Sequence, residues 1–270
     1  CRRQRQMCIR DSLIAYTAGP GLIGSLMIGE TVAKTIANVL NIELLPINHL
    51  EGHILAPGLE EDGLEPPYLC LLVSGGHTQI IRCDGYGKYK IIGETIDDAC
   101  GEAFDKVGKL LNLEYPGGPK VSQLAENGDS HRFKFPRAMM KDKNLNFSFS
   151  GLKTAVLYAL EDLNEGDHAD VAASFQEAVI DALTTKLTWA VQDTKIHKLV
   201  CSGGVASNKL LRERLKQMAV NNNLEVSYPR MEFCTDNAAM IAYAGFIRKK
   251  FKLPTYSTNY ARPRLSLIHI

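Results

Sequence analysis

The chain predicts an α/β fold with mixed sheets, and three observations carry that expectation. Short apolar runs of strand character (LIAYT, YLCLLV, KLVC) alternate with longer runs of helical character. Two of the strand runs end in the same turn, Ser74-Gly75-Gly76 and Ser202-Gly203-Gly204. The first of these turns leads into another strand and the second into a helix, so the element is an echo and not a repeat.

Taken in order, Leu13 to Thr17 reads as a strand, Ala18-Gly19-Pro20-Gly21 as a turn, and Leu22 to Leu40 as a helix. Glu43 to Ile47 is a second strand. It feeds a short helix that starts at Asn48 and stops near Ala56, because the residue before Pro57 resists helical geometry. Glu60 to Pro67 is an acidic, proline-containing loop. Tyr68 to Val73 and His77 to Arg82 form a hairpin around the first Ser-Gly-Gly, and Lys88 to Glu94 adds a strand. Cys100 to Leu111 is an amphipathic helix carrying Asp105, and Tyr115-Pro116-Gly117-Gly118-Pro119 is a rigid loop. Ser130 to Asn146 is basic and irregular. Helices follow at 150–162 and 169–193, a strand at 198–201, a helix at 208–219, a strand at 224–227 and a helix at 236–250.

The composition is that of a globular chain of 270 residues, 45% hydrophobic and 23% charged, enough for one large domain or two lobes. A formal net charge of +1 gives no overall field for nucleic acid, although a local patch can still bind it. Seven scattered cysteines without a C-x-x-C pair fit reduced thiols better than a disulfide framework. No apolar run reaches the roughly 18 residues of a membrane helix, so no membrane partner is expected. The ends, CRRQRQMCIRDS (1–12) and LSLIHI (265–270), read as foreign adaptor sequence fused to a gene fragment and are set aside from the fold; the alternative for 1–12 is a disordered basic arm.

The chemistry starts at His49-Leu50-Glu51-Gly52-His53. Two imidazoles at i and i+4 share one helix face and can reach one metal ion; incidental placement is the bland alternative, and a third ligand must come from elsewhere. The protease pattern H-E-x-x-H has its glutamate where Leu50 stands, and H-x-x-E-H has it where Gly52 stands. Glu51, three residues after Asn48, instead fits a capping box. The Ser-Gly-Gly turns can cradle phosphate or simply turn the chain. FSFSGLKT (147–154) lacks the upstream glycine of a P-loop and reads as a helix start presenting Lys153, or as plain capping by Ser148 or Ser150. The basic stretch 130–143 is either an RNA-backbone contact or a solvated loop. Asp236 falls in a first helical turn, where an acid is favourable in any case.

Together, HLEGHILAP, LLVSGGHTQ, DDACGEAFDKVGKLL, YPGGP, FSFSGLKT, CSGGVASN and CTDNAAMIAY, in this order from Leu13 to Arg264, resemble the TsaD tRNA threonylcarbamoyltransferase family, once labelled O-sialoglycoprotein endopeptidase. The serine and lysine of FSFSGLKT look bacterial or organellar. The resemblance implies a two-lobed actin-like ATPase fold of the sugar-kinase/Hsp70 type around a nucleotide cleft. It implies transfer of threonylcarbamoyl from threonylcarbamoyl-AMP to N6 of the adenosine next to the tRNA anticodon. By position it makes His49, His53 and Asp236 ligands of one divalent metal, iron or zinc by donor type, with magnesium also open. It makes Leu72, Val73, Ser74, Gly75, Gly76, Asp105, Gly118 and Asn208 substrate-binding residues, and it assigns no catalytic side chain.

The implied partners are tRNA, a TsaB-like paralogue and a TsaE-like ATPase, in the cytoplasm. The implied domains are 13–66 as the remnant of an N-terminal lobe, 67–233 as the C-terminal lobe, and 234–264 as a helix and tail returning to the first. The departure is at the front, where the family's opening phosphate-loop strand is replaced by 1–12, so the first lobe is expected to be incomplete and the fragment impaired. A metalloprotease and a non-catalytic nucleotide-binding scaffold are the competing functions.

Overall fold

The computed structural model describes residues 13–60, 64–141, 143–161, 163–255 and 260–267; residues 1–12 and 268–270, set aside above, lie outside them. The fold is mixed α/β, and it divides into two compact units. Unit 1 holds residues 1–66, 83–90 and 235–270; unit 2 holds 67–82 and 91–234.

In unit 1, β1 (Leu13–Gly19), α1 (Ile23–Leu40) and β2 (Glu43–Asn48) form a βαβ crossover with β1 and β2 parallel, Leu13 opposite Glu43 and Thr17 opposite Ile47. α2 (His49–Leu55) follows β2 without a loop. The Asn48 side chain accepts from the backbone N–H of Leu50 at 2.8 Å and of Glu51 at 3.4 Å, which caps the helix. Pro57 then converts the chain into one 3₁₀ turn, Ala56–Leu59. Leu45, Ile47, Leu55, Met240, Ile241 and Ala244 build a small apolar core beneath α2.

The tail set aside as foreign is part of this unit where it is described. Leu265 is buried with Tyr16, Ala18 and Ala33, and the Ser266 carbonyl accepts from Asn48 Nδ2 at 3.4 Å. The preceding residues are bound too, with Arg262 N–H donating to the Ala18 carbonyl at 2.7 Å.

Unit 2 is built on a five-stranded sheet ordered β5-β4-β3-β6-β7, whose β4 and β5 run on into residues of unit 1. The strands are β3 (Tyr68–Val73), β4 (Thr78–Gly85), β5 (Lys88–Glu94), β6 (Lys198–Ser202) and β7 (Glu225–Ser227). β3, β6 and β7 run parallel, with Leu72 opposite Ser202. β3 is buried at every residue, as its continuous apolar run requires.

Helices of the same unit are α3 (Cys100–Leu110), α4 (Gly117–Ala125), α5 (Ser150–Leu160), α6 (His168–Thr194), α7 (Lys209–Asn222) and α8 (Met231–Cys234). The sheet and the inner faces of α3, α6 and α7 share one core around Phe104, Phe175 and Leu183. Of the rigid loop expected at 115–119, Tyr115 and Pro116 precede the helix, while Gly117 to Pro119 are in fact the start of α4. α9 (Ala238–Lys250) belongs to unit 1.

Candidate functional site

In unit 1, α2 places His49 and His53 on one face, with ring centroids 4.8 Å apart and planes at 87°. Asp236 reaches both: its Oδ1 lies 3.2 Å from His49 Nε2 and 3.1 Å from His53 Nε2. Asp236 is not in the first helical turn that its sequence suggests. Asp236 precedes α9, and Asn237 caps that helix by accepting from Met240 N–H at 2.9 Å. The histidine hydrogen bonds hold the Asp236 carboxyl well below the usual carboxylate range.

One donor atom from each of the three residues lies within 4.8 Å of the others, an arrangement that could coordinate a divalent metal. Bonds of about 2.0–2.1 Å at tetrahedral angles place neighbouring donors roughly 3.3 Å apart, and the two nitrogen-to-oxygen distances are close to that. His53 is buried, and its Nδ1 has no hydrogen-bond partner among the described residues. Two nitrogens and one carboxylate leave coordination positions open.

Glu51 has a different role from the cap expected of it. Its side chain is fully buried, and Arg248 Nη1 donates to both carboxylate oxygens, at 2.9 and 2.8 Å. The Tyr89 hydroxyl donates to the same carboxylate at 3.1 Å. Neither Arg248 nor Tyr89 carries a local sequence signal; each is the distant partner of a charge that the helix period places at the back of α2.

In unit 2 the two Ser-Gly-Gly turns come side by side, because β3 and β6 are parallel neighbours that end together. Leu72 and Val73 are buried, Ser74 is half-buried, and Gly75 and Gly76 are exposed, with no atom of the described residues within 4 Å of where a Cβ would stand. The first turn is closed by Ser74 N–H donating to the His77 carbonyl at 2.8 Å. In the second, Gly203 has φ +91°, and a Cβ there would meet the Val73 carbonyl oxygen at 2.4 Å. Ligands of open α/β sheets bind beyond the carboxyl ends of such parallel strands.

Asp105 lies on α3, and its Oδ1 accepts from Gly117 N–H at 2.8 Å and Gly118 N–H at 3.2 Å, fastening the start of α4. Asn208 caps α7 by accepting from Leu211 N–H at 3.0 Å. Its amide donates to Ser122 of α4 at 2.8 Å and to Gln176 of α6 at 2.7 Å. Asp105, Gly118 and Asn208 thus meet through α4.

FSFSGLKT starts α5, but the cap comes from elsewhere. Asp97 accepts from the hydroxyls of Ser148 and Ser150 and from the N–H groups of Phe149 and Ser150. The basic stretch is partly neutralised within the fold: Arg132 pairs with Asp167 and Asp170, and Arg137 with Asp181. Lys134, Lys141 and Lys143 are exposed. Among the described residues Cys70, Cys83, Cys100, Cys201 and Cys234 are buried, and no helix is long and apolar enough to cross a membrane.

Fold and site define a mixed α/β protein with a metal-competent His-His-Asp centre in one unit and paired glycine turns on parallel strand ends in the other. The chain belongs to the TsaD family, tRNA N6-adenosine threonylcarbamoyltransferase, whose model matches residues 11–243. Two solved structures share the fold. HypF from T. kodakarensis has a TM-score of 0.68 at 17% sequence identity, over 90% of this chain and 41% of that one. Full-length HypF in its phosphate- and nucleotide-bound form gives 0.67 at 14%, over 89% of this chain and 39% of that one. The chain thus spans about two fifths of the length of these structures.

Proposed function

We propose that this chain is an acyltransferase that moves the threonylcarbamoyl group of threonylcarbamoyl-AMP to N6 of the adenosine next to the tRNA anticodon. The family match over residues 11–243 carries the reading. Its fold is that of the two-lobed actin-like ATPases of the sugar-kinase/Hsp70 type, with residues 13–66 and 234–264 serving one lobe and 67–233 the other. It works in the cytoplasm with a TsaB-like paralogue, a TsaE-like ATPase and tRNA.

His49, His53 and Asp236 would hold one divalent ion, iron or zinc by donor type, or magnesium with help from phosphate oxygens. Such an ion, when bound, supplies Lewis acidity at an open position. Leu72, Val73, Ser74, Gly75 and Gly76 bind the substrate; the open space over the two exposed glycines supports backbone approach to an anion. Asp105, Gly118 and Asn208 complete the substrate contacts, with Asp105 also shaping the Gly117-Gly118 segment.

The N6 amine attacks the carbamoyl carbon directly. The bond from that carbon to the AMP phosphate oxygen breaks, AMP leaves, and N6 loses a proton. Buried cysteines support direct attack over an acyl-enzyme: burial pushes the Cys70 thiol up to about 12, so little thiolate exists near neutrality. Glu51, the glutamate that stands between the two histidines in sequence, is committed to Arg248 and so is not free to act as a protease base.

The test supplies threonylcarbamoyl-AMP, partner proteins and unmodified tRNA to the chain, with nucleosides read by mass spectrometry. Threonylcarbamoyladenosine is expected, and its absence overturns the reading. A covalent threonylcarbamoyl-protein would overturn direct attack.

A further inference from the structure

We propose that the buried Glu51–Arg248 ion pair is a positioning device for the His-His-Asp centre: it sets the rotation of α2 against α9, and so where His49 and His53 meet Asp236. The inference rests on the proposed metal role of those three residues.

α2 has seven residues, too few to hold an orientation by its own helicity. Its front carries the two histidines. Glu51 is about 200° around the helix from His49 and lies at the back, fully buried, while Arg248 is 2% exposed. The guanidinium grips both carboxylate oxygens through Nη1 and reaches the Pro254 carbonyl through Nη2. With Nη1 on the carboxylate and Nη2 on the Pro254 carbonyl, the planar guanidinium is held at two points, and the Tyr89 hydroxyl adds a third bond on the same carboxylate.

The partner helix is the one that sets Asp236. Arg248 stands in the last turn of α9, and Asp236 stands just before the Asn237 cap at its other end. The two helices also touch closely at Gly52, where a Cβ would meet Ile241 Cδ1 at 2.9 Å and Met240 Cγ at 3.3 Å. One rigid helix therefore carries the third ligand at its start and the key for the other two at its end.

Stability alone is a poor reason for such a pair, since well-packed apolar replacements of buried ion pairs are often neutral or stabilising. That makes a clean test available. The double variant Glu51→Leu/Arg248→Met removes both charges together, and Arg248→Lys keeps the charge but loses the fork.

The full chain and its variants are titrated with Co²⁺ against a chelator, with the visible ligand-field spectrum recorded and folding checked by circular dichroism. Both folded variants are expected to lose about tenfold or more in metal affinity, the range seen when groups behind metal ligands are changed, and to show an altered spectrum. Wild-type affinity and spectrum in a folded variant overturn the proposal, and Arg248→Lys decides the matter if the double variant does not fold. Failure of the metal reading itself looks different: His49→Ala/His53→Ala would then bind Co²⁺ as the unaltered chain does.

Discussion

Asp236 Oδ1 lies 3.1 Å from His53 Nε2, across 183 residues of chain. One exposed carboxylate oxygen thus joins a buried imidazole, and the same oxygen serves His49. Removing it should empty the centre without unfolding the chain. Asp236→Ala is expected to lower divalent-metal affinity by about a hundredfold, the upper end of what changing a group behind a ligand costs, with a melting temperature close to the parent's. Isothermal titration with Zn²⁺ beside a thermal melt checks both.

Much of the fold was legible because its signals are local. The fully buried β3 follows from a six-residue apolar run, and α2 is opened by Asn48 as the spacing suggested. What escaped was tertiary. Glu51 sits three residues after Asn48 and so resembles a capping partner, but Arg248, 197 residues away, takes its carboxylate. Pro-Gly-Gly-Pro reads as a loop until Asp105 supplies a remote cap that lets α4 begin at Gly117. Asp236 looked helical because helices favour acids in the first turn, while Asn237 is the residue that caps. The histidine pair was visible by its period, but only a family resemblance could name its third member.

Asp97 holds the start of α5 through two hydroxyls and two backbone N–H groups. Asp97→Ala is expected to cost roughly 1–2 kcal/mol, as loss of a helix cap does, read as a lower urea midpoint. Burial alone would raise the Asp97 pKa, but those hydrogen bonds together outweigh it and leave it lowered. A lowered carboxylate contributes stability above its ordinary value of 3.8 and loses it as pH falls through the folded value. The gap between parent and variant should therefore narrow in acid, below about pH 4.

Burial raises the Cys70 thiol from its ordinary 9.0 to about 12, and Cys100 moves the same way. A raised pKa means the folded state holds the proton more tightly, so this contribution is intact below 9.0 and is lost as pH climbs toward about 12. Melting temperature should decline across that alkaline window, and the thiols Cys70 and Cys100 should resist iodoacetamide in the native chain at neutral pH. Rapid native labelling at either position, mapped by mass spectrometry, would contradict the burial argument.

Arg132 and Arg137 are the two arginines of the basic stretch, and both are tied to aspartates of the same unit. A paired guanidinium has little left to offer a phosphate. Arg137→Ala should change tRNA affinity less than twofold, whereas Lys134→Ala/Lys141→Ala should weaken it and flatten its dependence on salt, since each phosphate contact contributes to that slope. Filter binding over a salt series separates the two outcomes.

Gly75 and Gly203 belong to matching turns yet make opposite demands on a methyl group. Gly203 combines φ +91° with ψ 167°, a region open essentially to glycine alone, and its methyl would press on the Val73 carbonyl oxygen. Gly203→Ala should therefore cost about 1–3 kcal/mol from the backbone conformation, with more from the contact, and lower the melting temperature whether or not a ligand is present. At Gly75 the methyl enters open space. Gly75→Ala should leave the melting temperature near the parent's but weaken binding of threonylcarbamoyl-AMP or AMP, because the methyl occupies the approach to the backbone N–H groups. Calorimetry with each nucleotide decides the point: unchanged affinity in a stably folded Gly75→Ala would remove the first Ser-Gly-Gly turn from the substrate site.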